Sequence, residues 1–286
     1  MDTIKTPDHV VATLPPGARP SGPRPAPTLA QVENQMRQVA AKRSAVAPAP
    51  VQLDLEGLER NGKLVSLSRR SALSESFRQI KRPLLMNVRQ RRSPVQRATL
   101  IMVTSALPGE GKTFVAANLA MSLAAEIDTS VLLVDADVIR PALLTRLGVR
   151  AELGLLDVLT RDDLDVDSVV LPTNVPKLSL LPSGTPHPMS TEVLASRAME
   201  SLLMELVARD PNRIVIFDVP PLLVTSEAQV MASRMGQVLM VVEASRTPST
   251  AVAQAFAMLE DCPVVMSVLN KAPESSLTNG YGYYYG

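Results

Sequence analysis

Tryptophan is absent from this chain, cysteine occurs once (Cys262) and histidine twice (His9 and His187). A single thiol forms no internal disulfide and no thiolate metal cluster, which fits a reducing compartment. The two histidines lie far apart in sequence, each with a proline nearby; this argues against a histidine metal site or a serine–histidine catalytic pair. No apolar run approaches the ~20 residues that span a bilayer, and the first 30 residues lack the apolar stretch of a signal peptide. The expectation is a cytoplasmic chain that meets a membrane only through something else. Aromatic residues are also scarce, with four Phe and four Tyr in 286 residues. All four tyrosines, Tyr281, Tyr283, Tyr284 and Tyr285, fall within the last six positions.

Net charge is nearly absent as well, +1 from 29 Lys and Arg against 28 Asp and Glu. That balance hides an asymmetry. Residues 60–97 carry 11 basic groups and one acid, Glu75, whereas residues 98–286 carry 12 basic and 21 acidic groups. A basic arm on an acidic body points to an anionic surface, a neighbouring subunit or the chain's own acidic domain as the arm's partner. Nothing specific supports nucleic acid. At 46% hydrophobic and 20% charged residues, the remainder reads as a globular protein with a sizeable core.

Residues 1–28 hold seven of the 24 prolines and little apolar content, so they read as a disordered arm. Leu29, Val32, Met36 and Val39 give residues 29–43 a short helical periodicity, which the Ala/Pro run at 45–50 breaks. The spacing predicts a further helix over 72–81, with Pro83 expected to end or kink it. Beyond residue 97, short apolar runs alternate with helical patterns. The expected strands are Thr99–Thr104, Val131–Val134, Lys177–Leu181, Ile214–Phe217, Val238–Val242 and Val264–Leu269. Strands apolar on both faces and separated by helices imply an α/β fold, a mostly parallel sheet covered on both sides.

The first strand runs into Ala106-Leu107-Pro108-Gly109-Glu110-Gly111-Lys112-Thr113, then a helix from Phe114 to Ala125. This is the P-loop pattern with alanine for its first glycine, in the strand–helix context that the motif requires. Gly109 and Gly111 let backbone N–H groups curl round phosphate oxygens, and the helix N-terminus adds partial positive charge. Lys112 is placed to reach the β- and γ-phosphates and the Thr113 hydroxyl to ligate Mg²⁺. Two further strands end in acids, Asp135 and Asp137 after the second and Asp218 after the fourth. Ligands of open parallel sheets bind beyond the carboxyl ends of strands, so these acids are expected to converge on the same metal. The pattern is that of a P-loop NTPase.

Pro-Gly-Glu-Gly-Lys-Thr (108–113), Val-Leu-Leu-Val-Asp-Ala-Asp-Val-Ile-Arg-Pro (131–141), Phe-Asp-Val-Pro-Pro-Leu-Leu (217–223) and the tail Tyr-Gly-Tyr-Tyr-Tyr (281–285) together resemble the bacterial tyrosine autokinases. That family belongs to the P-loop class that also contains the division-site and chromosome-partition ATPases. Residues 75–85, 191–196 and 226–233 most resemble the autokinases of exopolysaccharide loci associated with PEP-CTERM/exosortase systems. The resemblance covers roughly residues 55–286. It implies four regions: a Pro-rich arm (1–50), a basic helical oligomerisation segment (51–97), a P-loop kinase domain (98–270) and a flexible tyrosine-rich tail (271–286).

The resemblance further implies ATP and Mg²⁺ as cofactors and Lys112, Asp135, Asp137 and Asp218 as catalytic residues. Pro108, Gly109, Glu110, Gly111, Lys112, Thr113, Phe114 and Asn270 would bind nucleotide, Asn270 by reading adenine. Thr113, Asp135, Asp137 and Asp218 would hold the metal. The tail tyrosines match the family's autophosphorylation cluster, and Glu75, Arg78 and Lys81 match a motif through which subunits meet in a ring. A turn asparagine, a docking tail and a merely solvated charged face are the respective alternatives. Implied partners are a separate transmembrane chain-length-determinant protein as activator and a phosphotyrosine phosphatase. Leu107 stands where partition ATPases carry a signature lysine, which argues against their dimeric switch. A partition-type ATPase and a non-catalytic nucleotide-binding scaffold are the competing readings.

Overall fold

The computed structural model describes residues 48–66, 71–89, 97–210 and 212–273. The helix expected over 29–43 and the tail tyrosines lie outside these residues. Seven strands, β1 (Leu100–Ser105), β2 (Ser130–Asp135), β3 (Leu171–Pro172), β4 (Leu178–Leu181), β5 (Arg213–Asp218), β6 (Gln237–Glu243) and β7 (Val265–Asn270), form one sheet of order β3-β4-β2-β5-β1-β6-β7. Every pairing is parallel except β3 with β4. The six expected strands are all present within a residue or two. The two-residue β3 carries no periodicity from which it could be read.

Alternation along the central strands sends side chains into two cores. Leu100, Met102, Leu132, Val134, Val215 and Phe217 face one side. There α5 (Leu155–Thr160), α6 (Ser190–Ala195), α7 (Arg197–Arg209), α8 (Ser226–Ala232) and α9 (Ser249–Ala257) supply partners such as Leu202, Met231 and Ala255. Ile101, Val103, Val131, Leu133, Ile214 and Ile216 face the other. They meet α1 (Leu55–Arg60), α2 (Ala72–Arg89), α3 (Lys112–Ala124) and α4 (Leu143–Leu147). Burial on both faces explains the continuous apolar runs.

Residues 51–66 and 71–89 are part of this fold. Leu53, Leu58, Leu64, Phe77, Leu84 and Leu85 are buried in the second core. The helix expected over 72–81 continues to Arg89, with Pro83 inside it. Proline removes one backbone donor from the helix interior, and here tertiary contacts outweigh that cost. Leu84 and Leu85 are buried immediately after it, the Gln237 amide donates to Leu84 O (3.3 Å) and Asn87 donates back to Gln237 Oε1 (2.7 Å). Because α2 covers its outer side, α3 is buried from Val115 through Ala124, well beyond a single apolar stripe. Ala116, Ala117, Ala120 and Ala124 keep it slim enough to be packed from both sides.

Candidate active site

The site lies at the carboxyl edge of the sheet. Glycines at 109 and 111 adopt φ of +87° and +97°, left-handed values that turn the loop from β1 into α3. A Cβ at Gly111 would come within 2.2 Å of Asn270 Nδ2, so this glycine is needed for close approach as well as for its dihedral angle. Lys112 opens α3 with no side-chain cap before it. The first backbone N–H groups of the helix therefore face the loop, as an anion-binding turn requires.

Parallel pairing of β2 with β5 puts Asp135 and Asp218 in direct register at adjacent strand ends. Both are essentially buried. Lys112 Nζ donates to Asp137 Oδ2 at 2.7 Å and to Asp218 Oδ1 at 3.4 Å. Burial disfavours the lysine's charge, but Asp218 and Asp137 outweigh it and hold its pKa above the ordinary value. Burial pushes the Asp218 carboxyl up, against the opposing pull of Lys112 and the Thr113 hydroxyl. Asp135 is raised to about 7, first by burial and then by the neighbouring Asp218 charge. Its one hydrogen bond comes from Leu143 N–H to Oδ2 (3.2 Å), while Asp137 Oδ1 accepts from Arg140 N–H (3.1 Å). Among the described residues, Asp135 Oδ1 and Asp218 Oδ2 are buried with no hydrogen-bond partner.

Two orphaned carboxylate oxygens beside a left-handed glycine turn fit a cation and a phosphate chain. Among the described residues no three His, Cys, Asp or Glu side chains form a self-contained metal site. The donor set suits a hard ion such as Mg²⁺, which one or two carboxylates hold while phosphate oxygens and water complete the shell.

Several P-loop residues turn out to brace the loop. Glu110 is 2% exposed and points inward. It accepts from Leu107 N–H (2.6 Å), Glu243 N–H (3.3 Å) and the Thr247 hydroxyl, tying the loop to the end of β6. Asn270, expected to read adenine, donates from Nδ2 to Glu110 O at 2.8 Å. Lys271, in a left-handed conformation, donates to Gly109 O (2.8 Å) and pairs with Glu243 (3.0 Å). Leu107 packs against the first core. The sequence reading missed Lys271, Glu243, Thr247 and Arg146. The Arg146 guanidinium lies 5.5 Å over the Phe114 ring with Nε buried and unpartnered. Its pKa is lowered by burial, against the pull of Asp218.

The proposed subunit-contact residues lie elsewhere, on α2. Arg78 pairs with Glu75 in its own helix (3.0 Å). Lys81 is turned inward, donating to Ser122 O (2.8 Å) and pairing with Glu126 (2.8 Å). It joins α2 to α3, which leaves Glu75 and Arg78 as the exposed members of the motif.

Comparison with known proteins agrees with this geometry. The AAA domain family matches residues 98–263. Tyrosine-protein kinase YwqD of Bacillus subtilis is 33% identical over 185 residues, 64% of this chain and 76% of that protein. The succinoglycan biosynthesis transport protein ExoP of Rhizobium meliloti is 32% identical over 232 residues, 78% of this chain but only 28% of that longer protein. Among solved structures, the BceF tyrosine kinase domain superposes with a TM-score of 0.60 at 27% identity, covering 80% of this chain and 96% of that domain. No helix among the described residues is long and apolar enough to cross a membrane. The sheet order, the strand-end acids and these relatives lead to one family: the chain belongs to the bacterial tyrosine-protein kinases, a branch of the P-loop ATPases.

Proposed function

We propose that the protein transfers the γ-phosphoryl group of ATP to Tyr281, Tyr283, Tyr284 and Tyr285 of a neighbouring copy, and that this governs exopolysaccharide polymerisation or export. Asp135 carries the reading. A buried carboxylate with a free oxygen and a pKa near 7, beside a P-loop lysine, suits a general base better than a static ligand. It would take the proton from the tyrosine hydroxyl as that oxygen bonds to phosphorus and the bond to the ADP oxygen breaks. Lys112 would exchange its Asp137 and Asp218 partners for the phosphates, keeping its charge through the transfer. Thr113, Asp137 and Asp218 would hold Mg²⁺, which when bound offsets charge on the phosphate oxygens. Glu110 and Asn270 keep the loop's shape.

Glu75 and Arg78 would meet a neighbouring subunit in a ring, with Lys81 fixing the helix that presents them. A separate membrane protein would activate the kinase from the inner membrane, and a phosphotyrosine phosphatase would reset the tail. Similarity to the succinoglycan biosynthesis transport protein ExoP supports the link to polysaccharide. The test incubates purified protein with Mg-ATP and maps phosphotyrosine by mass spectrometry, with Lys112→Met as control. Mixing a Lys112→Met chain with a chain whose four tyrosines are phenylalanine reads transfer between copies. An unmodified tail with steady ATP hydrolysis would sink the proposal in favour of a partition-type switch.

A further inference from the structure

At the far end of α3 from the P-loop, α2 borders a groove of about 710 Å³. Arg78, Lys81, Arg82 and Arg89 line it against one acid, Glu126, over Leu85 and Met86. We propose that this groove binds the phosphorylated tyrosines of the chain's own residues 281–285. The inference rests on the kinase reading above and adds a regulatory site to it.

The charge is one-sided and incompletely used. Glu126 already serves both Lys81 and Arg89, each at 2.8 Å. Arg78 takes its partner, Glu75, from the same helix. Arg82 forms no ion pair among the described residues, and Arg89 remains more than half exposed despite its contact. Four cations against Glu126 and Glu75 leave two positive charges unmatched.

The shape adds a second requirement. Met86 is 61% exposed while Leu85 is buried, so the floor offers apolar surface next to guanidinium groups. A ligand that brings a ring and a dianion together satisfies both features. Phosphotyrosine is such a group: its phosphate carries about −1.5 to −2 charge at neutral pH and accepts bidentate arginine hydrogen bonds. Unmodified tyrosine brings the ring without the charge.

Reach allows the tail to arrive. The described chain runs to Pro273, just past Lys271 on the P-loop. The 13-residue α3 separates that end from the groove by about 20 Å. Residues 274–285 span roughly 40 Å when extended. Occupancy would cover Arg78, so a phosphorylated tail would compete with the neighbouring subunit for the same helix. Phosphorylation would then release the ring by displacement, through a defined site.

The test uses the full chain with all four tail tyrosines changed to phenylalanine and a fluorescent synthetic peptide of residues 274–286, followed by polarisation. The peptide carrying four phosphotyrosines should bind at least tenfold tighter than the unmodified one. Arg82→Glu with Arg89→Glu should weaken it at least tenfold while leaving binding of a fluorescent ATP analogue unchanged, and Arg82→Lys should fall between. Equal affinity for the two peptides, or indifference to the arginine changes, would overturn the proposal. So would equal binding of a phosphoserine peptide of the same charge, or stronger binding of phosphatidylserine vesicles at the same arginines. Because the peptide is synthetic, failure here leaves the kinase reading standing, and failure of autophosphorylation leaves this result readable.

Discussion

The two ends of α3 each hold a lysine against carboxylate, and they behave as opposites. Near the C-terminal end, Lys81 has one acid and one carbonyl, and Glu126 is shared with Arg89. Lys81 and Glu126 satisfy each other there while Arg82 and Arg89 face solvent, and the Glu126 carboxyl is lowered by its hydrogen bond to Lys81 first, against partial burial. At the N-terminal end, Lys112 faces Asp137 and Asp218 with Asp135 alongside. There acids outnumber the cation, and two buried oxygens go unpartnered. The first cluster joins two helices and leaves its excess positive charge facing solvent. The second stores unmet charge that a metal and a phosphate chain would relieve, and such sites are where function concentrates.

The largest expected effect follows from emptying the charged end. Lys112→Met should reduce tyrosine phosphorylation at least ~10³-fold, read by quantitative mass spectrometry. Lys81→Met should leave nucleotide binding unchanged; equal loss of nucleotide binding in both variants would dissolve the contrast. Asp135→Asn should cost ~10²–10⁴ in transfer, the usual worth of a general base. Wild-type transfer should rise with pH as Asp135 ionises, with a midpoint at or below about 7 once Mg²⁺ is bound, and the Asn variant should lose that rise.

The sign for stability is the reverse. The folded pKa of Asp135 lies above the usual aspartate value, so the native state holds this proton more tightly between about 4 and 7. Stability is therefore lost progressively as pH rises from about 4 to about 7. In nucleotide-free protein, Asp135→Asn should raise Tm at pH 8, with the gain shrinking below about pH 7 and gone by about pH 4.

Next in size is Glu110→Ala. It strands the N–H groups of Leu107 and Glu243 and the Thr247 hydroxyl, and unmet buried groups cost ~1–3 kcal/mol each. Nucleotide affinity should fall about tenfold in a calorimetric titration as the loop loses its brace, a drop worth ~1.4 kcal/mol. The smallest effects belong to α2. Lys81→Met should lower unfolding stability by ~1–2 kcal/mol in a denaturant titration, since it leaves Ser122 O without its donor. Arg78→Ala should change stability by less than ~1 kcal/mol, because its pair is exposed.

The sequence disclosed whatever is local in the chain. A P-loop is a strand, a turn and a helix in direct succession, so Gly109, Gly111, Lys112 and Thr113 could be placed without knowing the rest. Asp135 and Asp218 were legible because acids end long apolar strands, and parallel sheets gather strand ends. Arg146 gave no such signal, since its place over Phe114 depends on how α4 packs. Lys81 likewise looked like one of three charges on a helix face. Its partner Glu126 is 45 positions away, and only packing of α2 on α3 turns it inward.

By itself, then, the sequence determined the alternation of strand and helix, the phosphate loop and the acids that face it. Periodicity and turn chemistry are written in neighbouring residues. The tertiary structure decided which side chains brace and which remain unmet. Glu110 became a strut because β6 lies beside β1, bringing Glu243 and Thr247 to it. Asn270 closed on the P-loop because β7 lies next to β6. Pro83 stayed inside a helix because Leu84 and Leu85 had a core to enter. Burial and strand order are properties of the whole chain, and they separate a bonded lysine from a reactive one.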